Sequence, residues 1–392
     1  MNASLRAADF DPRTLGMLVA MAGIWIGLDL ASGGLFLAPR NLYNLAVQSS
    51  VVGVMASGMV LVITARHIDL SVGSLLGFTG MCVAFLQAES GWSWPLAAAS
   101  GVAIGALAGA LQGWWVAYRG VPAFVVTLGG LLIFRGAAYG VADGRTVAPL
   151  APGFGRLGGG IEGSIGATAS WGLAALAVAI IVALTLHERR RQARHGFSPR
   201  PGWADALRVA ASSGVILGFV AVMNAHTQPR SDIGRGIPVP VLIWIASGLS
   251  TAVLFRSTRF GRSVMAIGGN PQAARRAGIN VRGVTLGVFL SMGLLAAVAA
   301  VMTTARLGAG ANSMGTLAEL SVIAAAVIGG TSLAGGRGSV AGAALGAVLM
   351  QSLENGMVLL GVSSAVRQVA IGSALILAVW VDGASRRRGS DP

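Results

Sequence analysis

The chain has 392 residues, of which 54% are hydrophobic and 11% charged, with a formal net charge of +14. Soluble domains carry about 25% charged residues, so a soluble enzyme, a disordered chain and a single-pass anchor are all excluded. Twelve spans of about 20 residues would use about 240 residues, and the class that fits is an all-α polytopic membrane protein.

In chain order, apolar runs predict spans at residues 15–37, 41–64, 70–88, 94–117, 121–141, 168–186, 206–226, 238–255, 283–304, 319–333, 338–361 and 365–381. The first run is too long for a signal-peptide core and lacks a basic start with a small-residue cleavage site, so it is expected to be retained. Residues 1–14 and 383–392 are expected as tails around a transmembrane domain at 15–382.

Every basic residue is an arginine, and about 20 of the 28 fall on one side if the N-terminus is inside. Both termini are therefore expected in the cytoplasm. This distribution explains the positive charge as membrane topology, so no nucleic-acid partner is expected. Trp92 and Trp94, then Trp114 and Trp115, bracket the fourth span at its two interfaces.

Three hydrophilic stretches interrupt the spans: a glycine-rich one at 142–167, a basic loop at 187–205 and a second basic loop at 256–282. The fourth span carries Gly101, Gly105, Gly109 and Gly113, and the eleventh begins with Gly338, Gly342 and Gly346. Such stripes let helix backbones approach closely in lipid, in a mobile interface or a static one.

Catalytic chemistry finds little support. Cys82 is the single cysteine, and His67, His187, His195 and His226 lack metal-ligand spacing. Without lysine there is no phosphate-binding Walker A loop and no Schiff base. No catalytic residue, cofactor or metal is expected.

Within the spans, Asp29, Arg135 and Glu354 are ionisable, and such groups are functional candidates by default. Arg135 is also placed to snorkel toward the interface. Residues 66–76 read RHIDLSVGSLL, setting Asp69, Ser71 and Ser74 at a junction between two spans. The carboxylate fits a helix cap as well as a transport role.

The motif IDLSVGS resembles the sugar permeases of bacterial ABC importers, the class that includes the ribose, galactose and xylose systems. GRSVMAIGGNPQAARRAGIN at 261–280 is similar to the ATPase-docking loop of that family. AELSVIAAAVIGGTSLAGGRGS at 318–339 and LENGMVLLGVSS at 353–364 continue the likeness in family order. GWWVAYRGVPAFVVTLGGLLIFRG, with the extra hairpin at 168–226, resembles the xylose-type subgroup and lifts a ten-span core to about twelve helices. Where the family usually has small residues before IDLSVGS, this chain has Arg66 and His67.

The resemblance implies a homodimeric permease in the bacterial inner membrane, in contact with lipid. Its implied partners are a cytoplasmic ABC ATPase subunit and an extracytoplasmic sugar-binding protein that delivers a monosaccharide, xylose or a related pentose or hexose. The implied ATPase-docking residues are Gly268, Gly269, Asn270, Pro271, Ala273, Ala274, Arg275, Arg276 and Gly278, with Pro271 opening a short helix capped by Asn270. For an uncharged sugar, neutral polar groups inside the spans suit the path or gate: Gln48, Ser49, Thr127, Gln351, Ser352 and Asn355, with Asp69, Ser71 and Ser74 at the junction. The alternative is a twelve-span proton-coupled sugar transporter with two six-span halves, which the scarcity of paired intramembrane carboxylates disfavours. The contaminant-free chain should hydrolyse no ATP in a phosphate-release assay, and robust turnover by it would contradict this reading.

Overall fold

The computed structural model describes residues 12–160, 162–195 and 201–387. The tail assignments at 1–11 and 388–392, and residues 196–200 of the first basic loop, lie outside the described residues. Among the described residues the chain folds into α-helices, with isolated bridges but no strand. They are α1 (Pro12–Ala31), α2 (Pro39–Thr64), α3 (Val72–Ala88), α4 (Trp94–Arg119), α5 (Ala123–Gly140), α6 (Ala167–Arg194) and α7 (Gly202–Ala225). Then come α8 (Val239–Ser257), α9 (Arg259–Gly269), α10 (Pro271–Arg276), α11 (Val281–Leu307), α12 (Ala318–Ile328), α13 (Val340–Leu359) and α14 (Ser364–Arg387).

Among the described residues, eight helices are long and apolar enough to cross a membrane: α1, α2, α4 to α8 and α11. The span expected at 319–333 is not one continuous helix. Its helix, α12, has 11 residues, about 16 Å at 1.5 Å per residue, which is half of a bilayer core. Gly329 caps it and Gly330, at φ +88°, turns the chain away.

The described residues of 1–44 and 164–238 form one compact unit, so the extra hairpin groups with α1. In it α6 packs on α7, and Arg189 pairs with Asp205 at 3.2 Å. The Ile237 N–H donates to Ser170 Oγ at 2.8 Å. The ring of Tyr43 lies 5.0 Å from that of His226 and 5.7 Å from the Arg235 guanidinium. Asp29 accepts from the Leu37 N–H at 2.9 Å, which fixes the turn after α1.

The described residues of 45–163 and 239–392 form the second unit. Its core is built by Met55, Met59 and Leu61 of α2, Met292, Ala296 and Ala300 of α11, and Val322 and Ala325 of α12, all buried. The apolar window of α2 is 83% buried, against 17% for α5. A helix that is hydrophobic all round belongs in the interior, and α2 takes that place.

The glycine stripe of α4 faces this core. A Cβ at Gly109 would fall on the Phe289 carbonyl and lie 3.0 Å from Gly293 Cα; at Gly105 it would meet Ala297 and the Gly293 carbonyl. The α4–α11 contact is therefore backbone against backbone, the close approach that small residues permit in lipid. Gly342 and Gly346 serve α13 in the same way, against Gly329 and Ala325.

Gly109→Leu should cost about 1–3 kcal/mol through overpacking, read as a lower melting temperature in detergent. Gly129→Ala, where a Cβ meets nothing within 4 Å, should leave it unchanged.

Candidate functional site

At the end of α11 in the second unit lies a cavity of about 560 Å³. Its polar lining comes from Gln48 of α2, Thr303 and Arg306 of α11, Ser321 of α12, Gln351 and Glu354 of α13, and Arg367 and Gln368 of α14. The Gln351 amide donates to Glu354 Oε2 at 2.8 Å, which orients both side chains. Arg367 Nε is buried without a hydrogen-bond partner among the described residues. Amides, hydroxyls and two guanidiniums supply donors and acceptors around apolar walls from Val52, Met55 and Leu76. This is the mixed lining that a polyol needs.

One wall of the cavity is a break in the chain. Between Gly308, at φ +63°, and Leu317, at φ +60°, the backbone runs outside any helix before α12 begins. It lies along α3, where glycines leave room. A Cβ at Gly73 would strike the Gly315 carbonyl and the Glu319 carboxylate, one at Gly77 would lie 2.7 Å from the Met314 carbonyl, and one at Gly80 2.6 Å from Thr304 Oγ1. Arg135 Nη1 donates to the Asn312 and Met314 carbonyls at 2.8 and 3.0 Å. Gly310 exchanges two 2.9 Å backbone hydrogen bonds with Val147. Arg135 is thus no snorkelling side chain; it satisfies carbonyls that helix geometry leaves open.

The sequence-selected polar residues separate into three groups. Gln48 and Gln351 line the cavity. Asp69, Ser71, Ser74 and Thr127 do not; they form a buried knot, together with Gln112, where α2 hands over to α3. Ser71 donates both its N–H, at 2.9 Å, and its hydroxyl, at 2.6 Å, to Asp69 Oδ1. Gln112 Nε2 donates to Ser71 Oγ at 2.8 Å, and Ser74 Oγ to the Ser71 carbonyl at 2.8 Å. Thr127 Oγ1 donates to the Ile68 carbonyl at 3.2 Å. Asp69 therefore holds Ser71, which stands at the N-cap position of α3 without a side-chain cap bond, rather than capping the helix itself. Asn355, Ser49 and Ser352 are buried beside the cavity helices and do not line it. Ser352 bonds back to the Val348 carbonyl at 2.7 Å.

The residues that the sequence reading missed are Gln112, Arg306, Thr303, Ser321, Arg367 and Gln368. Only the charged ones carry a signal, being arginines at the poorly charged end of their spans.

At the other end of α11 stands the pair α9–α10. Asn270 Oδ1 accepts the Gln272 and Ala273 N–H groups at 3.0 Å each, and Pro271 opens α10, as expected. Gly269, Asn270, Ala273, Arg275, Arg276 and Gly278 are exposed. Gly268 and Ala274 are buried, so neither lies on an open face. A Cβ at Gly268 would strike the Thr64 carbonyl and the Gly336 nitrogen. Gly336 itself donates to Thr64 at 2.9 Å, and Arg66 Nε donates to the Ala334 carbonyl at 2.8 Å. Arg66 holds φ +66°, the left-handed region that suits glycine, so a small residue before IDLSVGS would fit this backbone. His67 lies against Phe289 at 5.7 Å, and burial lowers its pKa below the ordinary value.

Asp69→Ala should destabilise the protein by about 1–3 kcal/mol by stripping partners from buried donors. Gln351→Ala, at the cavity, should leave the detergent melting temperature unchanged. Equal melting of the two variants would contradict this separation of knot from cavity.

A family model described as branched-chain amino acid transport system / permease component matches residues 41–379. The xylose transport system permease protein of Escherichia coli strain K12 is 40% identical over 372 residues, covering 95% of this chain and 92% of that protein. Its Haemophilus influenzae counterpart is also 40% identical, over 95% and 96%. The ribose import permease protein of Escherichia coli K12 is 33% identical over 76% of this chain and 71% of its own length. No solved structure matches the chain. With a family match across most of its length and relatives this similar end to end, the chain belongs to the sugar permeases of the ABC transporter family.

Proposed function

We propose that this chain is the transmembrane subunit of an ATP-driven sugar importer and forms the path for xylose or a related monosaccharide. The observation that carries the reading is the 40% identity to xylose permeases across 95% of the chain. In this reading the functional unit is a homodimer in a bacterial inner membrane. An extracytoplasmic binding protein delivers the sugar, and a separate ATPase subunit binds the arginine-rich end. Both termini face the cytoplasm, and the broken stretch 308–328 serves as one crossing of a twelve-crossing chain. The proton-coupled alternative loses its ground, because the relatives are permease components of transport systems.

The geometry supports a mechanical division of labour. Gln48, Gln351 and Glu354 exchange hydrogen bonds with hydroxyls of a passing sugar, and no bond is made or broken. Closure of an ATPase pair presses on α9–α10. Gly268 rests on the end of α2 and on residue 336, between α12 and α13. Packed interiors transmit such displacements because they compress little, and α2, α12 and α13 all reach the cavity.

Ala273→Trp, on the exposed face of α10, should cut uptake of labelled xylose at least tenfold at matched membrane levels, with less ATPase in pull-down. Arg276→Glu should act in the same direction more weakly, since exposed ion pairs contribute about 0–1 kcal/mol. Normal uptake by the tryptophan variant would contradict docking here. Ala274→Trp tests something else, because its buried site requires the loop itself to give way.

A further inference from the structure

Beside the α9–α10 loop the second unit carries another cavity, of about 400 Å³. Four arginines line it: Arg66 after α2, Arg119 at the end of α4, Arg275 on α10 and Arg282 at the start of α11. No carboxylate is among its lining residues, and none of the four forms an ion pair among the described residues. Four like charges around one opening repel each other unless something negative sits between them.

The depth of the cavity identifies the kind of anion. It lies where three apolar helices end or begin, and the end of α4 beside it carries an aromatic belt, of which Tyr118 lines the cavity. Trp115 and Tyr118 are 44% and 46% exposed, and the Arg119 guanidinium stacks 4.5 Å over the Trp114 ring. Tryptophan and tyrosine settle at the level of lipid headgroups, and basic pockets between helices at that level take phosphate headgroups. Guanidiniums match phosphate oxygens through paired hydrogen bonds.

We infer that this arginine-lined cavity binds the phosphate of an anionic membrane lipid, bridging α10 to the ends of α2 and α4. The bound headgroup offsets the repulsion among the arginines and seats the α9–α10 loop against the core. The inference goes beyond the proposed transport role and depends on it only for which leaflet supplies the lipid.

The test is native mass spectrometry of the delipidated full chain, titrated with phosphatidylglycerol, with phosphatidylcholine and with inorganic phosphate. Phosphatidylglycerol should be retained in preference to phosphatidylcholine. The double variant Arg119→Gln with Arg282→Gln should weaken its binding about thirtyfold, at roughly 1 kcal/mol per basic residue near the surface. The double variant Arg190→Gln with Arg191→Gln, on α6, should bind as the unmodified chain does, and without lipid neither double variant should melt below the unmodified chain. Equal phosphatidylglycerol binding by the Arg119/Arg282 variant would overturn the proposal. Full competition by millimolar phosphate would give the site to a soluble anion and overturn the lipid assignment. Loss of the lipid from the intact complex with its ATPase would give the arginines to acidic side chains of that partner, and would also overturn it. A defect in sugar uptake with lipid binding intact would bear on the transport reading alone.

Discussion

Residues 308–317 place open backbone among helices that are long and apolar enough to span a membrane, and the second unit is arranged around satisfying it. In lipid an unpaired carbonyl or amide costs several kcal/mol. The Arg135 guanidinium takes two carbonyls, Val147 takes both hydrogen-bonding groups of Gly310, and α3 offers glycines at 73, 77 and 80 so that the stretch lies flush. Because this stretch of one bridge and successive turns is held there, α12 begins part-way along the neighbouring helices. Its first turn then contributes Ser321 to a cavity that a continuous helix would fill. Broken helices of this kind line substrate paths in other transporters.

The knot at Asp69, Ser71 and Gln112 has a related purpose. It holds the reversal from α2 into α3, and so fixes the register of the glycines against residues 310–315. The four-residue glycine stripe of α4 fixes α11 in turn. Cavity, break and α9–α10 loop are thus joined by short backbone contacts together with the Arg135 and Arg66 side chains. Backbone contacts of that type are either made or lost, which would suit the transmission proposed above.

Much of this was legible in the residues. The apolar runs marked every long helix, because membrane spans are a composition signal. Asn270-Pro271 marked the α10 start, since a cap followed by proline is a local rule. The α4 glycines marked a helix interface for the same reason. The polar groups were harder: Asp69 and Gln351 look alike as buried polar residues in apolar surroundings, and only the fold sends one into a knot and the other to a cavity. Arg135 reads in the sequence as a candidate placed to snorkel because its partners lie about 180 positions away. The length of α12 was overestimated because apolar composition continues through Gly329 and Gly330, where the backbone turns.

The central claim is that the Gln351 cavity is the gated path and that it is driven from the α9–α10 end. Its most direct test is a Gln351→Cys variant in a Cys82→Ser background, labelled with a membrane-impermeant maleimide added from outside the cell. With the ATPase at rest the cysteine should label, and with the ATPase trapped in its closed, nucleotide-bound state the labelling should fall sharply. Labelling that ignores the nucleotide state, or that occurs only from the arginine-rich side, would contradict the account.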